Sequence, residues 1–260
     1  MGMFWHRVTT AIRIAPIVAI VLGVGIWNAS AAPPSAPRLQ WFGQSCFLLE
    51  SPGGTRVLMD PLSASVGFPM PENLEADVVT VSHEHPDHNN LALVGGKPKL
   101  IRGLTTDKKG WMKIDEKFRD VSIRSLGVYH DEKLGKDRGL NTIFIFETGG
   151  LRIAHMGDLG HTLDDKQLSA LGAVDVVLIP VGGHFTIDAA QAARVVEQVR
   201  PRLIVIPMHY STRISTIKEL ATVERFLEGR THVRRVSGNS LVINPVKQRP
   251  GVEVVVLERQ

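Results

Sequence analysis

Four apolar runs in this chain end in histidine or aspartate. "ADVVTV" runs into the block "SHEHPDH", "LGVYH" ends at His130, "IAHMGD" at Asp158 and "IVIPMH" at His209. Runs of this length, rich in Val and Ile, read as β-strands, so each carries a metal-ligating residue type to a strand terminus. A polar strand end is ordinary when it occurs singly. Four of them, one bearing three histidines and two acids, call for a fold whose strand ends and loops converge on one edge.

Other short apolar runs bounded by turn residues extend the pattern, among them "RLQWFG", "SCFLLE", "TRVLMD", "NTIFIFET", "AVDVVLIPV", "HVRRVS", "SLVINP" and "VEVVVLER". Between the later ones lie the helix-like segments "DDKQLSAL", "DAAQAARVVEQVR" and "STIKELATVERFLEG". The second begins at Asp188, a capping residue type, places Ala190, Ala193, Val196 and Val199 on one face, and ends at Pro201. A β-rich first part followed by alternating strand and helix fits an α/β sandwich of two sheets faced by outer helices better than a single doubly wound sheet.

The first 31 residues read as an export signal. His6, Arg7 and Arg13 precede an apolar run over residues 14–27, and Ala29, Ser30 and Ala31 supply small residues for a peptidase. The run is shorter than the about 20 residues of a comfortable membrane span, and a retained anchor is the competing reading. Residues 32–37 are then a Pro-rich linker and residues 38–260 the domain, which is expected to be periplasmic or extracellular. Losing Arg7 and Arg13 with the signal lowers the formal charge from +4 to +2. Basic and acidic residues are interleaved, as in "TTDKKGWMKIDEKFRD", which suits a solvated face and not a nucleic-acid groove. Cys46 is the single cysteine; no intramolecular disulfide can form, and its apolar setting marks it as a core residue rather than a nucleophile.

The chemistry concentrates in the block at 83–88. In extended backbone, residues i and i+2 point the same way, so His83 and His85 can converge on one ion, while Asp87 and His88, beyond the turn at Pro86, reach a second point a few ångströms away. Imidazole suits zinc and related divalent ions, and a carboxylate adds negative charge for a site holding two cations. His130, Asp158 and His209 supply further donors, and Gly157 allows close backbone approach beside an aspartate able to bridge two ions.

"HEHPDH", His130, "GDLG" and "MHY" together resemble the metallo-β-lactamase superfamily of dinuclear hydrolases. "LQWFGQSCFLLESPGGTRVLMDP" resembles the opening of its branch containing ascorbate-6-phosphate lactonase-like proteins and the N-acylphosphatidylethanolamine phosphodiesterase. The resemblance implies a four-layer αββα sandwich. It also implies His83, His85 and His130 on one metal, Asp87, His88 and His209 on the other, and Asp158 between them. The expected activity is hydrolysis of a lactone, ester or phosphodiester bond of a small molecule by a metal-bridging hydroxide, with Asp87 also serving as the catalytic proton carrier. Zinc is the expected metal, with manganese or iron as alternatives because His and Asp ligands discriminate weakly. A non-catalytic metal-binding or interaction protein on the same fold is the alternative.

Other polar residues have less definite roles. His155 is expected in a supporting or core position, and His161 either near Asp158 and the substrate or in a surface loop. His184 follows two glycines and sits either in an ordinary flexible loop or in the pocket wall. Asp60, in "LMDP", is either a turn residue or a support for a metal-binding histidine. Trp41, Phe42 and Trp111 are expected to pack.

Overall fold

The computed structural model describes residues 1–3, 35–245 and 251–259. Apart from residues 1–3, the expected export signal lies outside the described residues, as do linker residues 32–34. In chain order the elements are β1 (Arg38–Gly43), β2 (Cys46–Glu50), β3 (Arg56–Met59), β4 (Leu74–Glu75), β5 (Val78–Val81), β6 (Val94–Gly95) and β7 (Lys99–Arg102). There follow β8 (Asp115–Phe118), β9 (Val121–Tyr129), β10 (Leu140–Thr148), β11 (Leu151–His155), α1 (Asp165–Leu171), β12 (Val176–Pro180) and α2 (Ala189–Val199). The last are β13 (Ile204–Met208), α3 (Glu224–Leu227), β14 (Val233–Val236), β15 (Ser240–Val242) and β16 (Glu253–Leu257).

A six-stranded sheet has the order β15-β1-β2-β3-β5-β7, and an eight-stranded sheet the order β14-β16-β13-β12-β11-β10-β9-β8. One apolar core runs through both, with Phe47, Leu49, Leu58 and Val79 from the first and Phe144, Phe146, Ile153, Val177 and Ile206 from the second. This is the αββα sandwich. The strands β12 ("VVLIP") and β13 ("IVIPM") are buried at every position, as parallel central strands covered on both faces must be.

Strand polarity positions the site. β3 runs parallel to β5, and β11, β12 and β13 are mutually parallel. β9 is antiparallel to β10, which is antiparallel to β11, so β9 points the same way as β11. The carboxyl ends of β3, β5, β9, β11 and β13 lead directly to Asp60, Ser82 and His83, His130, Met156 to Asp158, and His209. Parallel neighbours require crossover segments, and α1 and α2 supply them between β11 and β12 and between β12 and β13.

Helix α2 has the expected Asp188 cap, in a reciprocal box with Gln191. Its buried stripe, however, is centred on Ala192 and Val195, and Ala190 is exposed. A strict three-residue spacing drifts off a face whose true period is 3.6. The third expected helix is reduced to Glu224–Leu227. The preceding segment spends its backbone groups on tertiary bonds instead, Ser211 N to Ala221 O at 2.9 Å and Ala221 N to Gly182 O at 2.8 Å. Trp41 and Phe42 are fully buried, and Trp111 lies on β9 and β10 with its indole N–H shared between the Val128 and Asn141 carbonyls. Cys46 is buried and unpaired, and burial pushes its thiol up to about 12, which removes it as a nucleophile.

Candidate metal centre

β5 ends at Val81, before either histidine of the extended His83–His85 pair that the sequence suggests. The block at 83–88 is instead a turn closed by the His88 N–H on the His85 carbonyl at 3.0 Å. The turn still brings the rings together: His83 and His85 centroids are 4.5 Å apart, and His83 and His88 are 4.2 Å apart. Across the sandwich, His130 adds to the first pair, 4.8 Å from His83 and 4.9 Å from His85. Donor atoms of His83, His85 and His130 all lie within 4.8 Å of one another, and so do those of Asp87, His88 and His209.

Asp158 stands between the two triads. Its Oδ2 is 3.2 Å from Nε2 of His88 and of His130, 3.3 Å from Nε2 of His209, and 3.9 Å from Nε2 of His83. One carboxylate thus faces histidines from both sheets. The Nε2 atoms of His83, His88 and His130 are buried and, apart from their approach to Asp158, meet no hydrogen-bond partner among the described residues. Each such orphaned group costs about 1–3 kcal/mol, and divalent cations are the ligands that an imidazole and carboxylate set of this kind satisfies. The residues fit metal.

A support layer holds the donors. Asp60, fully buried with φ of 45°, accepts from Ser82 N at 2.7 Å through Oδ1, and its Oδ2 lies 2.5 Å from Ser82 Oγ and 2.9 Å from His88 Nδ1. Because Asp60 meets the Nδ1 side of His88, it orients that ring and is no rival to the ligands, although its carboxylate also falls within 4.8 Å of donor atoms of His83 and His88. Ser82 Oγ is in turn 3.0 Å from His83 Nδ1. On the other sheet, Asn141 Oδ1 accepts from Asp158 N at 3.1 Å while its Nδ2 donates to Met156 O at 2.8 Å. Gly157, at φ +53°, is required between them: a Cβ there would lie 2.4 Å from Asn141 Oδ1.

The electrostatics follow from this crowding. Burial and the His88 charge hold His83 well below the usual imidazole range, and burial with His130 lowers His85. His88 is raised well above that range although burial opposes it, because Asp158 and Asp87 face it. Burial likewise opposes ionisation of Asp158 and Asp87, yet His209 and His88 hold Asp158 well below the carboxylate range, and His88 draws Asp87 down to about 2. In the protein alone the two carboxylates therefore favour the protonated form of His88, with which a metal would compete.

The remaining histidines separate. His155 is buried, its Nε2 is 2.7 Å from the Ser45 carbonyl, and Ser45 Oγ lies 3.3 Å from Asp158 Oδ1, so it supports the centre without ligating. His161 accepts from Tyr129 N through Nε2 at 3.0 Å and contacts Thr162 O through Nδ1 at 2.7 Å. It latches the loop after "GDLG" onto β9 instead of reaching Asp158. His184 is exposed at φ 58°. A cavity of about 460 Å³ opens on the centre, lined by His85, Asp87, His130, Asp158 and His209 and by Val66, Pro86, Arg138, Phe185 and Ile217 among others. Spacing in the sequence reveals neither Ser82 nor Asn141, and Arg138 carries no pattern at all.

An αββα sandwich with these two triads at the carboxyl ends of its strands defines a metal-dependent hydrolase of the metallo-β-lactamase type. The β-lactamase superfamily domain model matches residues 38–209. A UPF0173 metal-dependent hydrolase from Anaeromyxobacter sp. (strain K) is 30% identical over 258 residues, covering 85% of this chain and 93% of its own. Another, from Thermococcus onnurineus, is 32% identical over 197 residues, covering 67% and 85%. The fold matches a crystal structure from Thermotoga maritima, assigned to the Zn-dependent hydrolases of the metallo-β-lactamase superfamily, with TM-score 0.65 and 32% identity over 85% of this chain and 98% of that one. The chain belongs to the β-lactamase superfamily and, within it, to the UPF0173 metal-dependent hydrolases.

Proposed function

We propose that the protein is an exported dinuclear zinc hydrolase cleaving a lactone, ester or phosphodiester bond of a small molecule. The observation that carries this reading is the position of Asp158 Oδ2 within 3.3 Å of three histidine Nε2 atoms, one from the first triad and two from the second. His83, His85 and His130 would hold one ion, Asp87, His88 and His209 the other, and Asp158 would bridge. When bound, such a pair supplies an acidified water and a Lewis acid for the electrophilic oxygen.

The side chains account for the rest. Asp60 and Ser82 hold the His88 and His83 rings so that each Nε2 faces the centre. Asp87 lines the cavity with a carboxylate that stays ionised down to about pH 2 in the protein alone. Its Oδ2 lies 3.6 Å from His88 Nε2, and this carboxylate would take a proton from the attacking water and return it to the leaving group. Apolar walls at Val66, Phe185 and Ile217 limit water around the bond to be cleaved.

Metal content per chain, measured on the protein from residue 33 in its natural form and as Asp158→Ala, tests the reading. About two metals in the first and clearly fewer in the second are expected, followed by turnover within a panel of lactones, esters and phosphodiesters. No bound metal in the natural protein after zinc or manganese is offered at neutral pH would refute it.

A further inference from the structure

Apart from the donors of the metal centre, the cavity wall consists of Ser65, Val66, Pro86, Arg138, Phe185 and Ile217. Arg138 is its one cationic side chain outside the histidines, and the chain takes trouble to place it. Asp131, adjacent to His130, folds the loop between β9 and β10 around its carboxylate, accepting from Lys133 N at 2.7 Å, Gly135 N at 3.0 Å, Asp137 N at 3.0 Å and Arg138 N at 2.8 Å. The backbone of Arg138 is thereby fixed to the same loop that begins at a metal-site histidine. Its guanidinium lies 5.0 Å from the Phe185 ring centroid, and Nη2 donates to the His184 carbonyl at 2.8 Å. A guanidinium has five N–H donors, and this is the one side-chain hydrogen bond it makes to the described residues. Among them no carboxylate lies within ion-pair distance of it.

A partly buried guanidinium stacked on an aromatic ring, with most of its donors unused and no acidic partner, is complementary to an oxyanion, which it binds in a bidentate, charge-assisted manner. We propose that Arg138 is the specificity-determining residue of this cavity. It binds a carboxylate or phosphate that the substrate carries away from the bond cleaved, and the apolar portion between the two lies on Val66, Phe185 and Ile217. The proposal rests on the reading of this cavity as the substrate site and narrows the substrate to an amphiphilic anion.

The test has a binding arm and a turnover arm, both on metal-loaded protein of measured metal content. Calorimetry compares linear dicarboxylates of about four to eight carbons with monocarboxylates of equal length, since one carboxylate engages the metals and the second must find another partner. The natural protein should bind a dicarboxylate of some length roughly ten-fold or more tighter than its monocarboxylate. Arg138→Gln should erase that preference and Arg138→Lys should retain part of it. In turnover, nitrophenyl esters of equal chain length ending in a carboxylate, a phosphate or a methyl group are compared. The anionic ester with the highest kcat/KM identifies the anion, and Arg138→Gln should collapse its advantage over the neutral one.

No dicarboxylate preference at any length, or a preference that survives Arg138→Gln, overturns the proposal. Equal losses on anionic and neutral esters also overturn it, because they would mark Arg138 as a structural tie to the His184 carbonyl. A dicarboxylate preference that depends on Arg138, without turnover of any ester, lactone or diester, would leave the anion site standing and remove the hydrolase reading.

Discussion

Asp60→Asn removes one charge and changes almost no volume, yet it should weaken metal binding at both triads. Asp60 Oδ2 accepts from Ser82 Oγ at 2.5 Å and from His88 Nδ1 at 2.9 Å. With the His88 proton held on Nδ1, its Nε2 lone pair points into the centre. With the Ser82 proton donated to Asp60, Ser82 Oγ must accept from His83 Nδ1 at 3.0 Å, which frees the Nε2 lone pair of His83 as well. One carboxylate therefore sets the tautomer of a histidine in each triad. In the variant the amide oxygen keeps the bond from Ser82 N, and the NH2 group takes the place of Oδ2. Ser82 Oγ then accepts and turns its proton to His83, while His88 must present an unprotonated Nδ1, so both rings carry their proton on Nε2, where the metal must bind. Loss of such a supporting carboxylate costs roughly 10–100-fold in metal affinity, about 1.4–2.7 kcal/mol. Zinc competition against a chromophoric chelator at pH 7.5, with circular dichroism to establish that the fold is kept, measures this. Affinity within two-fold of the natural protein in a folded variant would refute the tautomer argument.

Two further perturbations follow from the same geometry. Gly160→Ala places a Cβ 2.1 Å from the His130 carbonyl carbon and 2.2 Å from Asp131 N; backbone cannot yield as a side-chain tip does, so stability should fall by about 1–3 kcal/mol. The first triad should lose metal affinity through displacement of His130, and urea unfolding with a zinc titration reads both effects. The Asp87 carboxyl, ordinarily at 3.8, is drawn by His88 to about 2 against its burial. A carboxyl lowered in the folded state contributes stability above its unfolded value and loses it as pH falls through the folded one. In chelator, unfolding free energy should therefore decline between about pH 4 and 2, and Asp87→Asn should flatten that decline; an unchanged slope in urea titrations would contradict the assignment.

Buried strands were readable because their whole length is apolar, as in "VVLIP" and "IVIPM", where both faces are covered. Four strands escaped the apolar pattern: β4, β6, β7 and β8. β7 and β8 are edge strands, reading "KLIR" and "DEKF" with half their residues exposed or nearly so, and edge strands carry charge to block further pairing. β4 and β6 are two residues each, too short for any period to register. The segment before α3 misled for the opposite reason. "STIKELATVERFLEG" has helical spacing, but Ala221 within it donates its N–H to the Gly182 carbonyl and accepts from Ser211 N, so tertiary pairing overrides local preference there.

The candidate metal donors were legible because strand polarity does most of the convergence. His83, His130, Asp158 and His209 sit within three residues of the carboxyl end of a strand, with His85, Asp87 and His88 in the turn that follows β5, and every such strand within a sheet points the same way, so a residue type at the end of an apolar run predicts a place in space as well as a place in the chain. The groups that orient those donors obey no such rule. Asp60 and Ser82 meet across 22 positions and Asn141 and Asp158 across 17, at distances in sequence fixed by loop lengths, not by any repeat. Arg138 is further removed still, since only the folding of its loop on Asp131 turns a basic residue in "DEKLGKDRG" into part of a cavity wall. Residues at strand ends can thus be read from sequence, while a cavity wall built from loops must be seen folded.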